Sequence, residues 1–344
     1  MIEDDDLSGA GDWTRPGVYR CAPDVYRIPL PLPMDGLRAV NVYAIRHGDA
    51  ITVIDAGWSI PEARDLLGSA LAELDAGFPD VQRFLVTHIH RDHYTQAVAL
   101  RREFGMRVAL GRGEQRGLDT INDPDQPEGP IMAARLLRAG GEAVLAKLSG
   151  LRSPHLDMSD WAAPDDWIDD GERLAVGERT LVAVETPGHT RGHLVFADEA
   201  ADIVFCGDHV LPRITPSIGL EPDPKVSPLA DFLASLELMR KRPDARMLAA
   251  HGPVGMRVHE RVDELIAHHA RRLDATLAAL AEGRSTAYAV AGAITWTRRE
   301  RTLSELDPFN EMLATLETMA HLEVLVERGR ATRTEEDGVA HYTT

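Results

Sequence analysis

The sequence predicts an α/β fold, two sheets packed as a sandwich with helices outside, and three observations predict it. Short β-branched runs alternate with helical stretches between Val25 and Leu110, a second strand-rich half begins near Thr180, and His or Asp residues stand at strand ends in both halves. Val25 to Ile28, Val40 to Ile45 and Ile51 to Asp55, separated by Pro, Gly and Asp turns, suggest an antiparallel meander after a polar start over residues 1 to 17. Pro61 to Ala76 follows as a helix, with Ser59 expected to cap it and Pro61 in its first turn. Val81 to Thr87 is a buried strand, Tyr94 to Phe104 a helix ended by Gly105, and Met106 to Leu110 a further strand.

Residues 111 to 167 change character. A polar, Pro-containing loop leads into a helical stretch, Ile131 to Leu148, broken at Gly140-Gly141. It is expected to be an insertion over the mouth of the site, with its apolar residues packed on the sheet. Thr180 to Glu185, His193 to Phe196, Ile203 to Phe205 and Met247 to Ala250 then repeat the strand pattern, with a helix from Leu229 to Arg242 between the last two. The expected organisation is a catalytic domain over 18–256, a connector helix over 257–282 and a C-terminal unit over 283–344. That unit reads as a helix from Ala287 to Ile294, a helix from Pro308 to Arg328 and a strand ending near Tyr342.

Length and composition limit the function. A chain of 344 residues with 44% hydrophobic content buries a sizeable core and is not disordered. Cys21 and Cys206 are its only cysteines, which implies no disulfide framework and a reducing, cytoplasmic setting. The start Met1-Ile2-Glu3-Asp4-Asp5-Asp6 lacks the features of a signal peptide, and no apolar stretch approaches the roughly 20 residues that span a bilayer. A net charge of −18 argues against a nucleic-acid partner, which a basic patch would bind through phosphates, and favours a small molecule.

The chemistry is concentrated in His88-Ile89-His90-Arg91-Asp92-His93, directly after a predicted strand. Residues two apart on an extended chain point the same way, so His88 and His90 converge on one ion, while Asp92 and His93 face a second. Thr186-Pro187-Gly188-His189-Thr190, Phe205-Cys206-Gly207-Asp208 and Ala249-Ala250-His251-Gly252 each add one ligand-type residue at a strand end. A glycine beside each lets the backbone turn sharply.

In this order the motifs resemble the metallo-β-lactamase superfamily, over roughly residues 20 to 260. The resemblance implies an αββα sandwich in which His88, His90 and His189 hold one metal, Asp92, His93 and His251 a second, and Asp208 bridges both. Asp55, in Val53-Ile54-Asp55-Ala56-Gly57, resembles the family acid that orients the ligand loop, and a simple strand-ending turn residue is the alternative. Two cations about 3.5 to 4 Å apart can share a water and lower its pKa to roughly 7. Asp92 would then orient the nucleophile and relay its proton. Zinc is expected first because imidazoles dominate, with iron or manganese open through the carboxylates. His90 stands where the family's di-iron flavoproteins carry Glu, and no flavodoxin-like segment follows, which sets that branch aside.

Other polar residues carry weaker signals. His193 starts a strand or supports a ligand, His209 beside Asp208 has the same two roles open, Arg213 is expected to be exposed, and His268 and His269 to lie on a helix surface. The C-terminal unit, with Trp296 and His321-Leu322, is similar to the winged-helix tail of the lactamase-beta-2-like branch, some members of which cleave single-stranded RNA. Here the tail has seven Arg, no Lys and ten acidic residues, a poor groove for RNA, and is expected to serve packing or homodimerisation. Hydrolysis of a thioester or related acyl ester of a small molecule is therefore the leading expectation, with acyl-CoA or another thiol ester as substrate. A metal-dependent endoribonuclease and a mononuclear iron dioxygenase of the persulfide kind are the alternatives.

Overall fold

The computed structural model describes residues 2–3, 12–33, 36–123, 125, 128–150, 157–220, 227–297 and 299–344. Part of the polar start and part of the loop before residue 128 lie outside them. The chain forms two compact units: Met1–Asp119, Asp157–Pro216 and Ser235–Asp263 make the first, and Thr120–Leu156, Ser217–Ala234 and Glu264–Thr344 the second.

The first unit carries both large sheets. Strands β1 (Ile2–Glu3), β2 (Tyr19–Ala22), β3 (Val25–Pro31), β4 (Ala39–His47), β5 (Ala50–Ile54), β6 (Val81–Val86), β7 (Arg107–Gly111) and β8 (Asp166–Ile168) lie in chain order in one sheet. From β2 to β5 neighbours are antiparallel; from β5 to β8 they are parallel. The change follows from the connections, because a parallel neighbour needs a crossover, and helices α1 (Pro61–Glu73) and α2 (Arg91–Phe104) supply two. The second sheet runs β13-β12-β11-β10-β9, built from β9 (Arg173–Val176), β10 (Arg179–Glu185), β11 (Leu194–Asp198), β12 (Ile203–Gly207) and β13 (Arg246–Ala249).

One apolar layer joins the sheets: Tyr43, Ile45, Ile54 and Leu85 from the first pack with Leu181, Phe196, Phe205 and Leu248 from the second. The Tyr43 and Phe205 rings meet edge to face, with centroids 5.3 Å apart. Strands β4 and β11 are buried on both faces over most of their length, which explains why they read as continuous apolar runs rather than alternating ones. The αββα sandwich is the predicted fold class.

Local expectations differ from the structure in four places. Helix α1 is preceded by Ile60 in extended geometry rather than capped by Ser59, because Pro61 holds the residue before it out of the helical region. The Ser59 N–H instead donates to Thr95 Oγ1 at 3.0 Å. Helix α2 begins at Arg91, three residues before its apolar spacing, and so carries Asp92 and His93 in its first turn. The polar loop after Gly111 contains helix α3 (Gln115–Ile121), anchored by buried Gly117 and Leu118. Strands β2, β8 and β9 were too short to stand out in the sequence.

The second unit contains α4 (Glu128–Arg138) and α5 (Glu142–Ser149), joined through Gly140 at φ 76°, and part of α6 (Pro228–Lys241). It also holds most of α7 (Val258–Ala281), then α8 (Ala287–Ala291), α9 (Pro308–Glu327) and a hairpin of β14 (Thr332–Glu336) and β15 (Val339–Thr343). Asp307 caps α9 by accepting from the N–H groups of Phe309 and Asn310. His269 of α7 is fully buried, against the expectation of a surface position. Among the described residues no helix is long and apolar enough to cross a membrane.

Candidate metal centre

All seven predicted ligand residues come together, His88, His189, Asp208 and His251 shortly after strands and His90, Asp92 and His93 at the start of α2. Strand β6 runs through Thr87 into His88, and His90 immediately precedes α2, whose first turn carries Asp92 and His93. His189 sits in the turn between β10 and β11, Asp208 directly follows β12, and His251 follows β13. His88, His90 and His189 present ring nitrogens within 4.8 Å of one another, as do the ligand atoms of Asp92, His93 and His251. His88, His93 and Asp208 form a third such group, so the two sets are contiguous.

Asp208 divides its two oxygens between the sets. Its Oδ2 lies 3.4 Å from His189 Nε2, while its Oδ1 lies 3.4 Å from His251 Nε2 and 3.7 Å from His93 Nε2. Asp92 Oδ2 is 3.4 Å from the same His251 atom and 3.6 Å from the same His93 atom. His88 Nε2, His93 Nε2, His251 Nε2 and Asp208 Oδ1 are buried without a hydrogen-bond partner. Four such atoms converging in a native fold require an occupant.

The far side of each ring shows what that occupant must be. His93 Nδ1–H donates to Asp55 Oδ2 at 2.9 Å, and His251 Nδ1–H donates to the Ala39 carbonyl at 2.8 Å. Thr87 Oγ1 lies 3.0 Å from His88 Nδ1 and 2.9 Å from Asp55 Oδ1, so the hydroxyl donates to the carboxylate and accepts from the ring. In all three rings the proton is thereby placed on Nδ1 and the lone pair of Nε2 faces inward. Lone pairs meeting carboxylate oxygens are satisfied by a cation, and imidazole with carboxylate suits a divalent transition ion. The residues present therefore fit the ions that the sequence motifs imply.

Asp55 thus orients a ring in each set, one directly and one through Thr87. It sits at φ 59°, a left-handed conformation that Asp tolerates better than most residues, and it also accepts the Thr87 N–H at 2.8 Å. Of the two roles the sequence left open for Asp55, the orienting one fits this geometry.

Electrostatics divide the cluster. Burial holds His88 well below the ordinary histidine range, with neighbouring imidazoles adding to the effect, and burial with the His189 ring brings His90 down to about 3. Burial also opposes charge on His93, but the carboxylates of Asp55, Asp92 and Asp208 outweigh it and push its pKa up to about 9. His251 is raised in the same way by Asp208 and Asp92. Burial would lift both acids, yet the facing imidazoles of His93 and His251 hold them below the usual carboxylate range. The acidic side of the cluster draws positive charge, and the imidazole side offers neutral donors.

Further residues support the ligands, and Asn41 and Tyr43 among them were not foreseen. Asn41 Nδ2–H donates to the carbonyls of Ala249 and Gly252 at 3.0 and 2.9 Å, and Tyr43 O–H donates to the Ala249 carbonyl at 2.6 Å, holding the His251 turn against β4. The signal was a polar Asn within the apolar run Val40-Asn41-Val42. His193 is fully buried: its Nδ1–H donates to Thr186 Oγ1 at 2.9 Å, and its Nε2 accepts the Asp208 N–H at 3.0 Å. It therefore supports a ligand, one of the two roles the sequence left open, and directly precedes β11. His209 is buried, and Arg213 is exposed as expected. Cys206 is buried with its thiol pushed up to about 12 by desolvation, so it offers no thiolate.

The Metallo-beta-lactamase superfamily model matches residues 35–251. A lactamase-like protein of Pestalotiopsis fici is 26% identical over 69% of this chain and 58% of its own length. An atrochrysone carboxyl ACP thioesterase of Cryptosporiopsis is 26% identical over 74% of this chain and 62% of its own. The chain thus spans about six-tenths of the length of these curated relatives. A solved metallo-beta-lactamase family protein from Thermus thermophilus is 31% identical, with a TM-score of 0.75 over 94% of this chain and 99% of that one. A beta-lactamase domain protein from Burkholderia ambifaria is 28% identical with a TM-score of 0.75, over 95% and 93% of the respective chains. With its motifs gathered in this geometry and this match across the sandwich, the chain belongs to the metallo-β-lactamase superfamily.

Proposed function

We propose that the chain hydrolyses a thioester or related acyl ester of a small molecule at a two-ion centre held by His88, His90 and His189 on one side and Asp92, His93 and His251 on the other, with Asp208 shared. The observation that carries the reading is the division of the Asp208 oxygens, one facing each imidazole set. Zinc suits this donor set first, and iron or manganese second. Divalent ions held there supply Lewis acidity and lower the pKa of water to roughly 7.

The protein's own groups supply position and proton handling. Asp92 is the most exposed of the three carboxylates, its side chain 14% accessible against 8% for Asp208 and 3% for Asp55. It therefore reaches the solvent side, where it orients the attacking water and takes up its proton. Asp55, Thr87 and the Ala39 carbonyl keep the ring protons turned outward throughout. One feature favours a thioester, that a relative is named a carboxyl ACP thioesterase, and the charge of −18 argues against a nucleic-acid substrate.

A panel of acyl thioesters, lactones, β-lactams and a single-stranded RNA oligonucleotide tests the reading on zinc-loaded protein. Thioester turnover that disappears in Asp92→Ala is expected. Turnover confined to lactones or to the oligonucleotide overturns the substrate assignment, and one tightly held ion per centre overturns the two-ion arrangement.

A further inference from the structure

Among the described residues, one set of ligand-type side chains lies outside the centre described above. It belongs wholly to the second unit: His268 and His269 on α7 and Glu317 on α9 present ligand atoms within 4.8 Å of one another. We propose that these three residues form a separate site for one transition-metal dication of the Zn2+ class, which ties α7 to α9.

Hydrogen bonds fix the protonation of the buried member. His321 Nδ1–H donates to the Glu317 carbonyl at 2.8 Å, so its Nε2 is an acceptor. His269 Nδ1 lies 3.2 Å from that atom and must supply the proton, which leaves His269 Nε2 a bare lone pair. That atom is buried with no hydrogen-bond partner, and the residue itself is 0% exposed. A carbonyl acting through one imidazole to present the lone pair of a second is the arrangement by which outer partners orient histidine ligands. A neutral packing network would give this nitrogen a donor instead.

Ring spacing agrees with shared coordination. The His268 and His269 rings stand 5.2 Å apart and nearly perpendicular, close to the 4.9 Å and 76° of His88 and His189 in the catalytic centre. Phe232 meets the His269 ring at 5.5 Å and forms an apolar wall on the inner side. His268 and Glu317 are only half-buried, which gives an ion a path from solvent. Burial lifts the Glu317 carboxyl to about 7, and Arg272, the facing cation, draws it back only partly. Arg272 is itself engaged, stacked 4.0 Å over Trp296 and donating to the Thr295 carbonyl. Desolvation also keeps His269 and His321 neutral, the form that binds metal.

The test is Zn2+ stoichiometry by elemental analysis of full-length protein, loaded and then desalted, for wild type, His268→Ala and Glu317→Gln. Both substitutions are at half-buried positions, and the second is nearly isosteric. Wild type should retain one more ion per chain than either variant, while thioester or other esterase turnover is unchanged. Titration against a chelator should show the additional ion weakened by about 100-fold or more, the upper end of what loss of a supporting partner costs. Equal stoichiometry in all three proteins overturns the proposal. So does loss of turnover together with the ion, which would assign that ion to the catalytic centre.

Discussion

Replacing Asp55 with Asn tests whether one carboxylate governs both halves of the catalytic centre. The change preserves shape but turns one oxygen into an N–H donor. Asp55 accepts from the Thr87 N–H at 2.8 Å, the Thr87 hydroxyl at 2.9 Å and His93 Nδ1–H at 2.9 Å, all buried. With the remaining oxygen facing Thr87, the new NH2 group faces the His93 Nδ1–H, donor against donor. One charge-assisted hydrogen bond is lost, worth about 1.5–3 kcal/mol, and a buried donor is orphaned at about 1–3 kcal/mol. The expected loss of stability is about 3–5 kcal/mol, in the range found when one partner of a buried pair is removed. His93 can recover a partner only by moving its proton to Nε2, which puts that proton where the ion must bind, so ion affinity at the Asp92–His93–His251 set should fall about 10–100-fold. Urea denaturation of the metal-free protein and chelator competition on the loaded protein measure the two effects. Thr87→Val is the contrasting variant: it removes the hydroxyl that links His88 to Asp55 but leaves His93 Nδ1–H on the carboxylate, and should weaken the His88–His90–His189 set more than the Asp92–His93–His251 set. An Asn variant within about 1 kcal/mol of wild type and with unaltered ion affinity would refute the role of Asp55.

Three further outcomes follow from the same geometry. Gly207→Ala places a Cβ 2.7 Å from both His193 Nε2 and Thr87 Oγ1 at φ 48°, and should cost about 2–5 kcal/mol in denaturant unfolding. His193→Ala removes the acceptor of the Asp208 N–H and should lower kcat with little change in KM; an unchanged kcat would make His193 a packing residue only. Glu317, raised from 4.5 to about 7, is protonated in the folded state and ionised in the unfolded state between those values. In chelator its contribution is complete below pH about 4.5 and is lost as pH rises through about 7, up to roughly 3 kcal/mol. The stability difference between wild type and Glu317→Gln should therefore change across that window and be flat on either side.

The legibility of the site depended on whether its parts are local in the chain. His88, His90, Asp92 and His93 fall within six residues, and each remaining ligand lies beside a glycine after an apolar strand, so strand periodicity and turn chemistry brought out all seven. Asn41 and Tyr43 did not stand out as part of the site, because their partners in the His251 turn are more than 200 residues away. Capping at Ser59 failed for a local reason, the restriction that Pro61 imposes on Ile60. The burial of His269 was readable and was missed. Val262, Leu265, His269, Leu273 and Thr276 fall three or four residues apart on α7, and all five are buried, so His269 lies on the inner stripe while its neighbour His268 turns toward solvent.

The supports of the catalytic centre also explain how its ligands are held in place at the ends of the strands. Asp55, His88, His189, Asp208 and His251 all follow strands that contribute side chains to the apolar layer between the sheets, among them Ile54, Leu85, Leu181, Phe205 and Leu248, so a shift of one residue would turn those side chains out of the layer. The backbone fixes the remaining freedom: the Leu194 N–H donates to the Thr87 carbonyl at 2.8 Å, joining the strand that delivers His88 to the one that follows His189. The Ala250 N–H donates to the Gly207 carbonyl at 3.2 Å, and the Asn41 N–H donates to the Ala250 carbonyl at 2.7 Å, tying the Asp208 and His251 turns to each other and to β4. Ligands from distant segments are thus held by main-chain bonds between the two sheets, so the ions need not gather them. The core therefore preorganises the centre, and substitutions in the apolar layer between the sheets should change ion affinity as well as stability.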